Sequence, residues 1–586
     1  MAHDGSPSPR PPSTSRSPDM PHARHDESAR RLRAICAREW AWRRREFAGA
    51  DEEDNDALPA DHLPRVDPDA QATRERRWAD TLHALDRLDA DALEAEDKIN
   101  LAVHRHQVES LHDDQRFRSW QMPLTSDSAF WSNLGYTARR PLHDLADAER
   151  YLGLLDDIPR WFAGNIANMR AGLARGFSLP RTSLGGHETS IAAIVHAGDE
   201  SNLLFTPLRR LPSNIAPAAQ ARLREAALRT IRDAVIPAHA RLLDFMRGEY
   251  IPQARSSFAA GALPDGADYY RAQIRKFTTL DLGPEAIHAL GRDEVAKLHA
   301  EMDRCIRDTG FKGDFAAFQH YLRSDPRFYA KSADELLKQA AWIANRVNGV
   351  LGQWIGRLPR RRFEIMPVPD ELAPSSTFGR GGAGYYLVNT WNLPARPLYA
   401  LTALTLHEAA PGHALQMPLA AEREDLPPFR RQAQNSAYTE GWALYSERLG
   451  VEMGLYETPW DHFGYLGFQM WRACRLVVDT GLHHGGWSRD EACAYLREHT
   501  TLAEHEIGTE VDRYIAWPGQ ALSYYLGQLA FLDARAQAER ALGGRFDIRA
   551  FHDAVLAPGP VPLPVLGLVT ERFVAGGGRS PWPATR

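Results

Sequence analysis

The chain has only four cysteines, Cys36, Cys305, Cys474 and Cys493, in 586 residues. They form no C-x-x-C pair and no ligand-like cluster, which excludes a zinc knuckle and a disulfide framework. Reduced, buried thiols are expected. Long apolar runs are also missing: no window reaches the roughly 18–20 residues that a membrane-spanning helix needs. Neither sign of charge dominates. Lys and Arg number 70 against 76 Asp and Glu, a formal charge of −6, which argues against nucleic acid or an anionic membrane as partner. No G-x-x-x-x-G-K-[ST], no G-x-S-x-G and no strand-linked G-x-G-x-x-G occurs, so nucleotide and serine-nucleophile chemistry have no support. The first 28 residues hold no apolar h-region. They do not read as a signal peptide, and a cytoplasmic location is the default expectation.

What the chain does have is 44% hydrophobic and 25% charged residues, enough for a buried core and two lobes. Residues 1–28 are rich in Ser, Pro, Arg and His, and a disordered tail is expected there. "ARRLRAICAREWAWRRREF" reads as a first core helix with solvated arginines, followed by an acidic "DEEDND" connection. From about residue 70 to 250, apolar residues recur at three- and four-residue spacing, the period of helices. "GALPDGADYYRAQIRKFTT" is a turn-rich joint. It divides an N-terminal helical lobe (29–260) from a second, catalytic lobe (261–586). Helix resumes at Pro284, which suits a first turn. Strand signal is confined to "RFEIMPV" (362–368) and "AGYYLVNT" (383–390), the second after a Gly-rich run. Ser488-Arg489-Asp490-Glu491 is a capping-box signature. The expected fold is mainly α, with one small sheet.

The chemistry concentrates in "LTLHEAAPGHALQ". A zinc-peptidase helix places two histidines four residues apart, on one face. Here His407 and His413 are six apart. Six residues rotate a straight helix by about 600°, to the wrong face. Pro411 and Gly412 lie between them. Pro411 opposes the carbonyl four residues earlier, and Gly412 accepts dihedrals closed to other residues, so a local break or bulge is expected. Two residues absorbed there return His413 to the side of His407. Glu408 directly follows the first histidine, where zinc peptidases keep their general base.

Zinc needs three protein ligands and an open position to activate water. "SAYTEGWALYSERLG" offers Glu440 and Glu447, two helical turns apart and so on one face. Glu440 is the expected third ligand, and Glu447 the partner that orients a ligating histidine. One zinc ion is expected, with manganese or cobalt as alternatives.

"HEAAPGH", "YTEGWALYSERLG", "VDTGLHHGGWSRDEA" and "RYIAWPGQALSYYLG" resemble the bacterial family of unknown function numbered 885, whose members are regarded as zinc peptidases. "GLARGFSLPR" and the joint near residue 261 fit as well, so the likeness covers most of residues 30–575. That family is similar in arrangement to helical oligopeptidases and carboxypeptidases with a Glu third ligand. The resemblance implies a two-lobed helical fold around a deep channel, with the metal on its floor and the small sheet beside the cleft.

Peptide hydrolysis also needs a donor for the oxyanion. In "VDTGLHHGGW", His483 aligns with the family's motif as a catalytic candidate, and Asp479 would orient it if the helix ends near Gly481. In "RYIAWPGQALSYYLG", Arg513 could bind a substrate carboxylate. Tyr514 or Tyr524 could donate to the oxyanion, with Gln520 on the face of Tyr524. "GGAGYYLVNT" is read as an edge strand for an extended peptide, with Tyr385, Tyr386 and Asn389 as cleft residues. The expected activity is a zinc-dependent peptidase of short peptides, with Arg513 as the hint of a carboxypeptidase. The alternatives are a zinc hydrolase of non-peptide amides or esters, and an inactive peptide-binding protein on the same fold. Nothing in the sequence sets an oligomeric state.

Overall fold

A computed structural model describes residues 20–49, 58–126, 128–370 and 372–582. The first nineteen positions of the expected tail and the "DEEDND" run lie outside the described residues. Helix α1 (Met20–Glu46) begins inside the stretch expected as tail. The reason is local: Pro21 falls in the first turn, where its missing N–H costs nothing, and no breaker follows. Helix α2 (Pro68–Asp86) opens on an Asp67 cap that accepts from Ala70 N, and α3 (Ala95–Arg116) returns alongside it. Helix α4 (Leu145–Ala174) packs with the helical run 217–253 around one apolar cluster. Two wide π turns in that run, Ile231–Val235 and Met246–Tyr250, each precede a proline, Pro237 and Pro252. A widened turn gives room to the ring and to the carbonyl it displaces.

Helix α5 (Gly266–Thr278) follows the joint, and α6 (Pro284–Asp308) starts on Pro284 as its spacing predicts. Both expected strands form. The sheet runs β1 (Glu364–Pro367), β3 (Tyr385–Val388), β2 (Gly379–Gly382) in space. β1 pairs parallel to β3 with Glu364 opposite Tyr385, and β2 pairs antiparallel with Gly382 opposite Tyr385. The Gly-rich run is therefore itself a strand. β3 sits in the middle rather than at the edge, which corrects the edge-strand expectation; the edges are β1 and β2.

Helix α7 (Leu401–Glu408) is buried on every side. Leu401, Ala403 and Leu404 belong to one core and Leu406 to another, so α7 runs between two apolar masses. Burial on every side leaves it no solvated face, so packing from both masses holds it. After it come α8 (His413–Ala421), α9 (Ser436–Glu452), α10 (Pro459–His483), α11 (Glu504–Ala516) and α12 (Ser523–Leu542). Helix α10 is sheathed from Phe463 to His483 and lies along α6. The Ser488 capping box caps the helix Arg489–His499 as expected. All four cysteines are free and buried. No helix among the described residues is long and apolar enough to cross a membrane.

Helices α9 and α12 meet backbone to backbone at Gly441 and Gly527. A methyl at Gly527 would stand 2.0 Å from the carbonyl oxygen of Ala437. In an open helix, Gly→Ala stabilises by about 1 kcal/mol. Here Gly527→Ala should instead destabilise by about 2 kcal/mol through overpacking, read from the denaturant midpoint.

Candidate metal centre

Helix α7 stops at Glu408. Ala409 takes φ −91° and ψ −121°, the Ala410–Pro411 peptide is cis, and Gly412 takes φ −70° and ψ −135° before α8 begins at His413. The chain thus breaks fully, into two helices, rather than bulging within one. Gly412 N donates to Leu406 O at 3.1 Å, which folds the turn back on α7. A Cβ at Gly412 would lie 1.9 Å from the carbonyl oxygen of His407, so only glycine fits. Trp442 Nε1 on α9 donates to Pro411 O at 2.8 Å and ties the turn to the helix that bears Glu440 and Glu447.

The result brings the two imidazoles together, with ring centroids 4.9 Å apart and planes at 90°. Glu440 Oε2 stands 3.4 Å from His407 Nε2 and 3.4 Å from His413 Nε2. His407 Nδ1 lies 2.7 Å from Glu447 Oε1, so Nδ1 carries a proton and Nε2 is the nitrogen that faces Glu440. Glu440 Oε2 is sealed from solvent and has no hydrogen-bond partner among the described residues. His407, Glu408 and His413 form a buried group that could hold a metal ion, their ligand atoms all within 4.8 Å of one another.

These residues fit a zinc ion. Ligands on a tetrahedral zinc with bonds of about 2.0–2.1 Å stand about 3.3–3.4 Å apart, the spacing between Glu440 and each histidine. The electrostatics agree. Burial pulls His407 down, but the carboxylates of Glu440, Glu447 and Glu408 beside it outweigh burial and push it up to about 10. Burial raises Glu440, yet His413 and His407 hold it well below the ordinary carboxylate range. The centre is rich in carboxylate and draws positive charge. Glu408 faces a different partner: its Oε2 accepts from Gly381 N on β2 at 2.5 Å.

His407, Glu408, His413 and Glu440 lie in the wall of a cavity of about 1050 Å³. Tyr524, Arg513 and Gln520 line the same cavity. The Tyr524 ring stacks over His407 at 6.3 Å, and Arg513 Nη2 donates to Tyr524 Oη and to Gln520 Oε1, each at 3.3 Å.

Six other expected site residues stand elsewhere. Helix α10 continues through His483, whose Nδ1 accepts from Ala260 N at 3.1 Å and whose Nε2 donates to Tyr514 O at 2.8 Å. Burial lowers it to about 3, so it stays neutral and joins segments instead of moving protons. Asp479 does not touch it; it accepts from Tyr270 Oη at 2.6 Å and from Gly519 N at 3.1 Å. Tyr514 Oη is taken up by Trp471 Nε1 and Arg475 Nε at 3.0 and 2.9 Å, away from the cavity wall. Tyr385, Tyr386 and Asn389 are also outside that wall. Tyr386 is buried against Thr405, and the Asn389 amide clamps the carbonyls of Ala373, Ser376 and Thr377. Among the cavity residues that the motif reading passed over are Gly381, Arg472 and Arg475. The two arginines did carry a signal, since they sit three apart in the otherwise apolar stretch 470–478.

Residues 45–568 match the profile described as "Bacterial protein of unknown function (DUF885)". The chain belongs to the DUF885 family. The crystal structure of a "putative lipoprotein" from Colwellia psychrerythraea is similar to this DUF885 chain with a TM-score of 0.82 and 26% identity, covering 95% of this chain and 99% of that one. A "putative lipoprotein of unknown function" from Shewanella oneidensis shares the fold, with a TM-score of 0.66 and 16% identity over 93% and 99% of the two chains. No curated protein matches the DUF885 chain at a significant level.

Two outcomes follow from this geometry. Glu447→Gln should weaken zinc affinity about 10- to 100-fold, because it removes the charge that holds His407, as a competitive chelator titration would measure. Burial also raises the Asp479 carboxyl to about 7, against its hydrogen bonds from Tyr270 and Gly519. A folded-state value above the unfolded one means stability is fully present below about pH 4 and is lost as pH climbs through about 7. Wild type should therefore lose more stability than Asp479→Asn between about pH 4 and about pH 7.5, measured by denaturant midpoints.

Proposed function

We propose that this DUF885 protein is a zinc-dependent peptidase acting on short peptides. One observation carries the reading: Glu440 Oε2 lies equally far from His407 Nε2 and His413 Nε2, while Glu408 stands beside them on its own backbone anchor. His407, His413 and Glu440 would hold the ion. Glu408 is close enough to be a fourth ligand, but its tie to Gly381 N keeps it free for proton transfer. When bound, the metal supplies a Lewis acid and lowers the pKa of a water.

The chain's own groups do the rest. Glu408 takes the proton of the attacking water and passes it to the leaving amine. Glu447 keeps His407 in the tautomer that presents Nε2. The hydroxyl oxygen of Tyr524 accepts from Arg513, so its own proton is free to donate to the oxyanion. On β2, Gly381 N turns away from β3 toward Glu408. By strand alternation Gly379 turns the same way, which offers main-chain groups of the outer edge to an extended peptide. A chamber of this size, with the reactive groups in its wall, suits short or unfolded chains.

Among the alternatives, a zinc hydrolase of non-peptide amides or esters would use the same groups. A merely binding protein would have no use for an anchored Glu408. The cytoplasmic expectation stays as a proposal; the "putative lipoprotein" description of both structural relatives favours the cell envelope as the second reading, and cell fractionation separates the two.

The purified protein should contain about one zinc per chain, and His407→Ala should lose it, by elemental analysis. Glu408→Gln should keep the metal and lose at least about 100-fold in turnover of a peptide library. Full turnover in that variant would refute the general-base role.

A further inference from the structure

Beside the metal centre the cavity wall carries three arginines, Arg472 and Arg475 on α10 and Arg513 on α11. Tyr524 joins them to the centre. Its ring lies 6.3 Å from the His407 ring, 4.2 Å from Arg475 Cζ and 5.9 Å from Arg472 Cζ, and its hydroxyl meets Arg513. Among the described residues, two carboxylates lie within 4.0 Å of these three cations. Glu510 is 2.7 Å from Arg475 and 3.8 Å from Arg513. Glu447 is 3.8 Å from Arg472, but its close hydrogen bond goes to His407. The other acids of the adjoining helix are engaged: Asp512 with Arg489 and Glu506 with Arg396.

The cluster therefore holds a surplus of buried positive charge. Arg472 is 4% exposed, gripped by the rings of Trp471 and Phe468 at 4.0 and 4.6 Å. Its Nε and Nη1, and Nη1 of Arg475, have no hydrogen-bond partner among the described residues. Arg513 is the member with the most exposed side chain, at 26%, and among the described residues its hydrogen bonds go to the neutral Gln520 and Tyr524. Unpaired buried charge is costly, and a fold keeps it where a ligand compensates it.

We propose that this pole of the cavity is an anion subsite that takes a carboxylate of the substrate on Arg513, with Arg472 and Arg475 supplying the positive charge behind it. Its role in hydrolysis rests on the peptidase reading above. One aromatic ring separates the subsite from the metal centre, roughly the reach of one or two extended residues. The carboxylate is thus carried within that distance of the bond to be cut. It is the C-terminal carboxylate of the peptide or the side chain of an acidic residue.

Equilibrium binding to the full chain tests this with three probes: N-benzoylglycine, its amide, and N-benzoylaspartic acid α-amide. Titrations run with zinc and after chelation, so that carboxylate binding to the metal is separated from binding to arginine. At least one acid probe should bind about tenfold or more tightly than the neutral amide, with the preference surviving chelation. The tighter of the two acids identifies the carboxylate's source. Arg513→Met should abolish the preference, and Arg513→Lys should restore part of it. Equal binding of all three probes, or a preference unchanged in Arg513→Met, overturns the subsite. An acid preference without turnover of any peptide would sink the peptidase reading and leave the subsite standing; turnover without the preference would do the reverse.

Discussion

The centre depends on one tight approach, the backbone of Gly412 lying against the carbonyl of His407. Without it the chain could not reverse between α7 and α8, and the second imidazole would follow the helical screw to the far side. The reversal is braced from outside by the indole of Trp442, so the helix that supplies Glu440 and Glu447 also holds the turn. The candidate ligands and the bend that gathers them are thus one cooperative piece of structure. The glycine contact between α9 and α12 then fixes that helix against the one bearing Tyr524.

Residue chemistry at short range was legible in the sequence. The helical period, the two strands, the Ser488 cap and the Pro284 start all follow from local rules and appear in the structure. So does the convergence of His407, His413, Glu440 and Glu447, because a wrong spacing and the residues that repair it occur together. What could not be read is which polar side chains spend their hydrogen bonds inside the core. His483, Asp479 and Tyr514 look chemical in one dimension, yet each is saturated by a partner distant in sequence: Ala260, Tyr270 and Trp471. Asn389 is likewise consumed by three carbonyls of the loop before it. The order of strands was hidden for a similar reason. A run of glycines has no apolar alternation to announce it, so β2 was invisible and β3 was placed at its edge.

The cavity divides its charge between two poles. Carboxylates crowd around the histidines at one pole, and guanidinium groups crowd around Glu510 at the other. Tyr524 stands between them, stacked over an imidazole and close to the guanidinium of Arg475. Its hydroxyl orientation is set by the cationic pole and its position by the metal pole, which makes it the residue through which the two communicate.

The wall of that cavity also runs from Trp40 on α1 to Tyr524 on α12. A chain still emerging from the ribosome owns the bend and both imidazoles long before it owns the residues that close the chamber around them. Closure of the cavity is postponed towards the end of synthesis, because wall residues from Glu440 to Tyr524 emerge after the bend.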